Sequence, residues 1–211
     1  GKLLMHTLYH GDCLDILPTL PAQSVDAIIA DPPYGTTACK WDEVIPLDRL
    51  WPELKRVIKP AGATVLFCGQ PFTSVLVASN IKQFKYCWTW DKRRGRGHLV
   101  SKFRPMQQTE DIAVFGQGAI QYYPEMTPKD KPRFDREGSR TSIMGGQISE
   151  GYVGKWNTHS HPTTLLSFSW SNVHSLHPTE KPLDLVRYLV RTYTTVGQTI
   201  LDFCMGSGTT G

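Results

Sequence analysis

The sequence predicts an α/β fold in which helices flank a mostly parallel, twisted sheet. Short apolar segments alternate along the chain with longer segments whose apolar residues recur at helical spacing. Parallel strands need helical crossovers of this kind between them. The 211 residues, 40% of them hydrophobic, are also enough to bury the core of one such domain.

Strands are predicted where short apolar runs end at turn residues. The clearest run is 25–31, which stops at two consecutive prolines because proline lacks the N–H that a ladder needs. In chain order, the predicted strands are 6–10, 25–31, 63–68, 84–90, 111–115 and 199–203.

Helices are predicted between these strands. Residues 47–58 place Leu50, Leu54 and Val57 on one face, and a proline follows this segment. The other two predicted helices are 71–83, which has a proline in its first turn, and 183–193.

A cluster of hydrogen-bonding groups lies at the end of the 25–31 strand, in the segment Asp31-Pro32-Pro33-Tyr34. The prolines leave carbonyl groups without ladder partners, Asp31 adds a carboxylate and Tyr34 adds an aromatic face. Together these groups can receive a flat group with two N–H donors, such as the exocyclic amine of a nucleobase. The alternative is an ordinary strand-ending turn, since Asp-Pro is a common turn opener.

A glycine-rich turn, residues 202–211, follows the last predicted strand. Its glycines let a nucleotide-like ligand approach the backbone closely. A nucleoside triphosphate site is disfavoured, because Thr209-Thr210 stands where a phosphate-binding loop requires lysine. Ligands of open α/β sheets lie beyond the carboxyl ends of the strands, so Asp31 and Asp202 are expected to share one cleft.

Four motifs together resemble one family, the nucleic-acid amino-methyltransferases, which transfer a methyl group from S-adenosylmethionine to adenine N6 or cytosine N4 in DNA. Asp31-Pro32-Pro33-Tyr34 is similar to the family's catalytic motif, and residues 202–211 are similar to its cofactor loop. Two further matches are Gly11-Asp12-Cys13-Leu14 and His177-Pro178-Thr179-Glu180-Lys181-Pro182. The catalytic motif precedes the cofactor loop, which resembles the permuted order of the β class. The resemblance implies a Rossmann-like sheet in this permuted methyltransferase order.

The resemblance also implies roles for the motif residues. Asp31 and the Pro32 carbonyl would accept the two N–H bonds of the target amine, and Tyr34 would stack on a base rotated out of double-stranded DNA. The implied catalytic residues are Asp31, Pro32, Pro33 and Tyr34. The implied cofactor-binding residues are Asp12, Cys13, Asp31, His177, Thr179, Lys181, Asp202, Phe203, Gly206, Ser207, Gly208 and Thr209. Adenine N6 is favoured over cytosine N4, because the cytosine enzymes more often open the catalytic motif with Ser.

The middle of the chain, residues 92–175, is predicted to be a loop-rich target-recognition lobe between a catalytic half, 5–91, and a cofactor-binding half, 176–211. Regular periodicity fades in this segment, and a basic cluster with glycines opens it. A solvated charge run is the alternative interpretation. The predicted DNA-binding residues are Lys92, Arg93, Arg94, Arg96, His98, Lys102 and Arg104.

Composition disfavours metal-binding, disulfide-bonded and membrane-spanning proteins. The five cysteines form no C-x-x-C pair and no ligand spacing with histidine, which favours reduced thiols, a cytoplasmic protein and no bound metal. No apolar run is long enough to cross a membrane. The resemblance adds a bacterial or phage-encoded origin, and it leaves a homodimer and a cognate restriction enzyme open as partners.

Other interpretations stay open. The chain could bind nucleic acid without catalysis, or methylate an amine in RNA or on a protein glutamine, although glutamine enzymes of related fold usually open the motif with Asn. The family normally continues beyond the cofactor loop with a helix and a strand that ends in an acidic residue, whereas this sequence ends at Gly211. We therefore expect either that this sequence is a piece of a longer protein or that the protein binds its cofactor weakly.

Overall fold

A computed structural model describes residues 6–36, 42–135, 155–169, 180–206, 208 and 210 of the chain. The chain divides into two compact units, of which the first comprises residues 1–123 and 164–211 and the second residues 124–163. The described helices are α1 (Cys13–Ile16), α2 (Leu47–Val57), α3 (Phe72–Ser79) and α4 (Leu183–Tyr193). The described strands are β1 (Val25–Ala30), β2 (Ile58–Cys68), β3 (Phe84–Arg96), β4 (Gln107–Phe115), β5 (Thr127–Asp135), β6 (Lys155–Ser160), β7 (Leu165–Ser167) and β8 (Ile200–Leu201).

The first unit is built on a six-stranded mixed sheet with the order β7-β3-β4-β2-β1-β8. Strand β1 pairs in parallel with β2 and β8, and β3 pairs in parallel with β7, whereas β4 runs antiparallel to β2 and β3. Strands β3 and β4 pair antiparallel because their connection, residues 97–106, holds only a short 3-10 turn and no crossover helix. The predicted α/β class with a mostly parallel sheet is confirmed, and β4 is its antiparallel exception.

Helices pack on both faces of this sheet. All six residues of β1 are buried, as expected of a central strand in a parallel segment. On one face, Ile29 packs in a cluster with Leu189 of α4. On the other face, Ile28 packs in a cluster with Leu54 of α2. The helix predicted over 47–58 therefore exists, and its leucine face is the buried one.

Several predicted boundaries were wrong. Residues 6–10 form no strand, and Leu8 and Tyr9 are 74% and 55% exposed, so no buried face supports their apolar character. Helix α3 ends at Ser79, because the next residue leaves the helical region with φ −144°. The strand predicted over 84–90 extends to Arg96, and the strand predicted over 111–115 begins at Gln107, since these two ends pair with each other.

The second unit consists, in its described part, of the antiparallel pair β5 and β6. Phe134 and Trp156 face each other across this pair, with ring centroids 5.4 Å apart. Of the predicted recognition lobe, residues 92–123 and 164–175 belong to the first unit, and the function of the lobe stays a prediction. Among the described residues, no helix has both the length and the apolar character that a bilayer crossing requires.

Candidate active site

The strand pairing brings the predicted catalytic and cofactor motifs to one edge of the sheet. Strands β1 and β8 are parallel neighbours, with Ala27 opposite Ile200 and Ile28 opposite Leu201. Asp31 follows the end of β1, and Asp202 follows the end of β8. The two strands end side by side, so the juxtaposition expected of Asp31 and Asp202 is what the fold produces.

A single carboxylate fixes the turn after β1. Asp42, which is 7% exposed, accepts N–H bonds from Tyr34 at 2.8 Å and Gly35 at 3.0 Å through Oδ1, and from Thr36 at 2.9 Å through Oδ2. Gly35 has φ +68°, a left-handed conformation that favours glycine at this position. Asp42 was missed by the sequence analysis, because its partners are backbone amides that no side-chain motif reveals.

Asp31 lies between two side-chain donors. Its Oδ1 accepts a hydrogen bond from the Tyr34 hydroxyl at 2.8 Å, and its Oδ2 accepts one from Lys181 Nζ at 2.7 Å. The Asp31 side chain keeps 32% of its surface exposed. Each carboxylate oxygen has two lone pairs, so Asp31 can accept further N–H bonds from an incoming group.

Asp31 belongs to a group of four linked charges, three of them nearly buried, which we call the ion cluster: Asp31, Lys181, Glu110 and Lys92. Glu110, on β4, contacts Lys181 Nζ at 3.0 Å through Oε1 and Lys92 Nζ at 2.7 Å through Oε2. The side chains of Glu110, Lys181 and Lys92 are 7%, 10% and 10% exposed. The cluster holds two carboxylates and two ammonium groups, so its buried charges balance.

Opposite charges keep the cluster ionised despite its burial. Burial alone would raise the pKa of Glu110, but the ammonium groups of Lys181 and Lys92 outweigh it and lower that pKa. Burial alone would lower the pKa of Lys181, but the carboxylates of Glu110 and Asp31 outweigh it and raise that pKa. Both groups are therefore charged at neutral pH. Glu110 was not identified from the sequence.

Tyr34 connects Asp31 to Glu110. Its hydroxyl lies 2.8 Å from Asp31 Oδ1 and 2.8 Å from Glu110 Oε1. Burial and these two carboxylates raise its pKa well above the usual tyrosine value, so the hydroxyl keeps its proton. The Tyr34 ring stacks on Phe72, with centroids 5.5 Å apart and planes 16° from parallel.

The predicted cofactor residues that the structure describes lie around the ends of β1 and β8. Asp12 accepts an N–H bond from Leu14 and caps α1. Asp202 accepts an N–H bond from Cys204 at 3.0 Å, and burial raises the pKa of the Asp202 carboxyl. The Cys13 and Cys204 thiols are hydrogen bonded to each other, which lowers the pKa of Cys13 and raises that of Cys204.

The glycine turn after β8 fits a ligand that approaches the backbone. Gly206 and Gly208 have φ +52° and +81°, and a Cβ built on Gly206 would lie no closer than 4.0 Å to its surroundings. Phe203 is partly buried against the cores around α2 and α3. His177, Thr179, Ser207 and Thr209 lie outside the described residues.

Two lysines occupy positions that the sequence did not predict. Lys181 was expected beside the cofactor, whereas its ammonium binds Asp31 and Glu110. Lys92 was expected to contact DNA, and its ammonium is nearly buried against Glu110, so its contact with DNA stays a prediction that this position does not favour. The other predicted DNA-binding residues are exposed: Arg93, Arg94, Arg96, His98, Lys102 and Arg104.

Comparison with known proteins agrees with this arrangement. Residues 25–211 match the family model described as DNA methylase. Type II methyltransferase M1.MboII of Moraxella bovis is 25% identical over 99% of this chain and 86% of its own length. DNA adenine methyltransferase YhdJ of Escherichia coli K12 is 27% identical over 97% of this chain and 73% of its own length.

Solved structures share the fold. The complex of M1.HpyAVI with S-adenosylmethionine superimposes with a TM-score of 0.58 at 24% identity, over 96% of this chain and 84% of that one. The cytosine-N4-specific PvuII DNA methyltransferase gives a TM-score of 0.65 at 17% identity, over 96% of this chain and 75% of that one. The family match spans most of the chain and includes the Asp31 motif and the glycine turn, which confirms the resemblance found in the sequence: the chain belongs to the S-adenosylmethionine-dependent DNA amino-methyltransferases, the family that modifies adenine N6 or cytosine N4.

Proposed function

We propose that this protein methylates the exocyclic N6 of adenine in double-stranded DNA, with S-adenosylmethionine as the methyl donor. The observation that carries the proposal is the position of Asp31. Its carboxylate stays one-third exposed at the edge of the sheet, while Tyr34 and Lys181 hold it from behind, beside the glycine turn that follows β8. Adenine is favoured because Asp opens the catalytic motif and because YhdJ, a relative over 97% of the chain, is named as an adenine methyltransferase.

The main task of the site is to make a weak nucleophile react. The lone pair of the exocyclic nitrogen is delocalised into the base, so the nitrogen must be biased toward tetrahedral geometry. Asp31 and the carbonyl of Pro32 accept its two N–H bonds and align the nitrogen with the methyl carbon. The fixed turn geometry imposed by Asp42 keeps these acceptors in place.

The cofactor residues hold the donor beside this amine. S-adenosylmethionine supplies a methyl carbon on a sulfonium, and the C–S electron pair stays on sulfur as the C–N bond forms. The nitrogen then loses one proton, which Asp31 accepts. Gly206 and Gly208, which have positive φ, would let the methionine and ribose parts approach the backbone, and Asp12 would contact the adenine ring.

The target base is proposed to leave the duplex, because its amine is unreachable inside the base stack. The exposed basic residues from Arg93 to Arg104 supply positive charge for the phosphates. The affinity for duplex DNA should then fall steeply with salt, and Arg94→Ala should reduce that slope by about one. The stacking of Tyr34 on the base stays part of the proposal, as do a homodimer, a cognate restriction enzyme and a cytoplasmic location.

The test is transfer of labelled methyl groups to unmethylated genomic DNA, followed by nucleoside mass spectrometry. We expect N6-methyladenine from the unmodified protein and a loss of at least about a hundredfold in Asp31→Ala. Asp184→Ala is the matched control, because that aspartate is 75% exposed on α4 and forms a salt bridge with its helix neighbour Arg187. If the product were N4-methylcytosine, the target base would be cytosine and the proposal of adenine would be wrong. If the protein bound DNA without transferring methyl groups, the proposal that it is an enzyme would be wrong.

A further inference from the structure

We infer that Glu110 is a positioning residue for the methyl transfer: it holds Tyr34 and Lys181 against Asp31, and it takes over the Tyr34 hydrogen bond when the target amine occupies Asp31 Oδ1. This inference rests on the proposed function, in which the amine binds Asp31. Glu110 itself touches neither the amine nor the methyl donor. It acts through Tyr34 and Lys181.

The Tyr34 hydroxyl has a single proton to donate. Asp31 Oδ1 and Glu110 Oε1 both lie 2.8 Å from this oxygen, but the hydroxyl can donate to only one of them at a time. When it donates to Asp31, it takes one of the two lone pairs of Oδ1 and competes with the amine for that oxygen. When it donates to Glu110, Asp31 Oδ1 is released, and the two equal distances mean that the ring barely has to move.

Burial distinguishes the two carboxylates. Asp31 is 32% exposed, whereas Glu110 is 7% exposed and lies behind Tyr34 on β4. An incoming amine therefore meets Asp31 rather than Glu110. Glu110 is then the second acceptor for the Tyr34 hydroxyl, in place of a water molecule. Without Glu110, the amine competes with the hydroxyl for Asp31 Oδ1, and a displaced hydroxyl loses its second carboxylate acceptor in a buried position.

The same carboxylate also places Lys181. The ammonium of Lys181 lies 2.7 Å from Asp31 Oδ2 and 3.0 Å from Glu110 Oε1, and it is nearly buried. Lys92 balances the second negative charge from the far side of Glu110, at 2.7 Å. Neutralising Glu110 removes the carboxylate that both ammonium groups contact, so Lys181 loses one of the two negative charges that fix its position beside Asp31.

The experiment compares single-turnover methyl transfer to genomic DNA by the unmodified protein, Glu110→Gln, Tyr34→Phe and the combination of both. Glu53→Gln is the matched control, because this glutamate also forms an ion pair, with Arg56, but on α2 away from the site. We expect Glu110→Gln to lower the rate at saturation by about tenfold or more, with the KM values for DNA and cofactor changed less than about threefold. Because Glu110 acts partly through Tyr34, the loss in the combined variant should be smaller than the product of the single losses.

The same proteins report on the ion cluster without any activity. Glu110→Gln should lower the Tm by roughly 5 °C or more, and adding Lys92→Met, which restores charge balance, should recover most of that loss. The combined Glu110→Gln/Lys92→Met protein can be assayed even if Glu110→Gln alone fails to fold, and we expect its turnover to stay low. An inactive unmodified protein would overturn the proposed function, and the Tm comparison would still test the cluster. Three results would overturn this inference and leave the proposed function standing. They are full activity in Glu110→Gln, a loss in the combined Glu110→Gln/Tyr34→Phe variant equal to the product of the single losses, and equal Tm values for Glu110→Gln and the unmodified protein.

Discussion

Replacing Asp42 by alanine should loosen the turn that carries Tyr34. The native carboxylate is 7% exposed and accepts three backbone N–H bonds, from Tyr34, Gly35 and Thr36, at 2.8 to 3.0 Å. A hydrogen bond to a charged group contributes about 1.5 to 3 kcal/mol, but three bonds to one carboxylate share its desolvation cost. We therefore expect Asp42→Ala to lower the free energy of unfolding by about 3 to 5 kcal/mol.

Asp42→Asn separates the contributions of the two carboxylate oxygens. The asparagine oxygen can replace Oδ1 and keep the bonds from Tyr34 and Gly35, but its NH₂ group cannot accept the Thr36 N–H. The loss in unfolding free energy should then be about 1 to 2 kcal/mol, less than half that of alanine. Glu43→Ala is the matched control, because this neighbouring carboxylate is exposed.

The assay is urea unfolding together with methyl transfer per folded molecule. Because the turn places Tyr34 against Asp31, Asp42→Ala should lose most of its turnover even where it is fully folded. An Asp42→Ala protein within about 0.5 kcal/mol of the unmodified one, with normal turnover, would show that the turn keeps its shape without this carboxylate.

Three further outcomes follow from buried polar groups. Asp26→Ala should cost about 2 to 4 kcal/mol in urea unfolding but leave turnover per folded molecule unchanged, because its partners, Lys59 Nζ at 2.6 Å and the Thr199 N–H at 2.9 Å, lie at the opposite end of β1 from Asp31. Tyr193→Phe should cost about 1 to 3 kcal/mol in thermal unfolding, because the buried Trp88 N–H loses its acceptor at 2.7 Å. The pKa of Glu110 is lowered in the folded protein, since Lys181 and Lys92 outweigh its burial, so its ionisation stabilises the fold above the ordinary pKa of 4.5, and this contribution is lost as the pH falls through the folded value. The stability gap between the unmodified protein and Glu110→Gln, measured in urea, should therefore shrink as the pH falls below 4.5.

The fold was predictable because its signals are local. Alternating apolar segments predict the strands and helices, and the positions of Asp31 and Asp202 at strand ends predict a shared cleft. The boundary errors came from pairing, which is not local. Strand β3 continues to Arg96 because β4 begins early enough to pair with that end.

The burial of Lys92 illustrates this dependence on pairing. The position of Lys92 in a linear basic run predicts that it contacts DNA. Side chains of a strand alternate between the two faces of the sheet, however, so neighbours in such a run need not share a surface. Once β3 is known to extend past Trp90, Lys92 falls on the same face as Trp88 and Trp90, all of which are buried. The period of two was readable in the sequence, whereas the length of the strand was not.

Glu110 was missed for a topological reason. Ligand sites are expected at the carboxyl ends of parallel strands, and Glu110 stands near the beginning of its strand. Because β4 is antiparallel to β2 and β3, its beginning lies at the same edge of the sheet as the end of β2, with Asp111 opposite Cys68. Only the direction of β4, which follows from the short connection after β3, brings this carboxylate to the site.

The charge balance of the ion cluster makes the site depend on distant parts of the chain. Asp31 and Lys181 are separated by 150 positions, and Lys181 is also bound to Glu110 on a third segment. A buried charge is tolerated only when it is paired, so each member of the cluster needs the others in place. We therefore expect the proposed catalytic geometry of Asp31 to form only when the segment that carries Lys181 has docked on the sheet, which would couple assembly of this carboxylate to folding of the proposed cofactor-binding half.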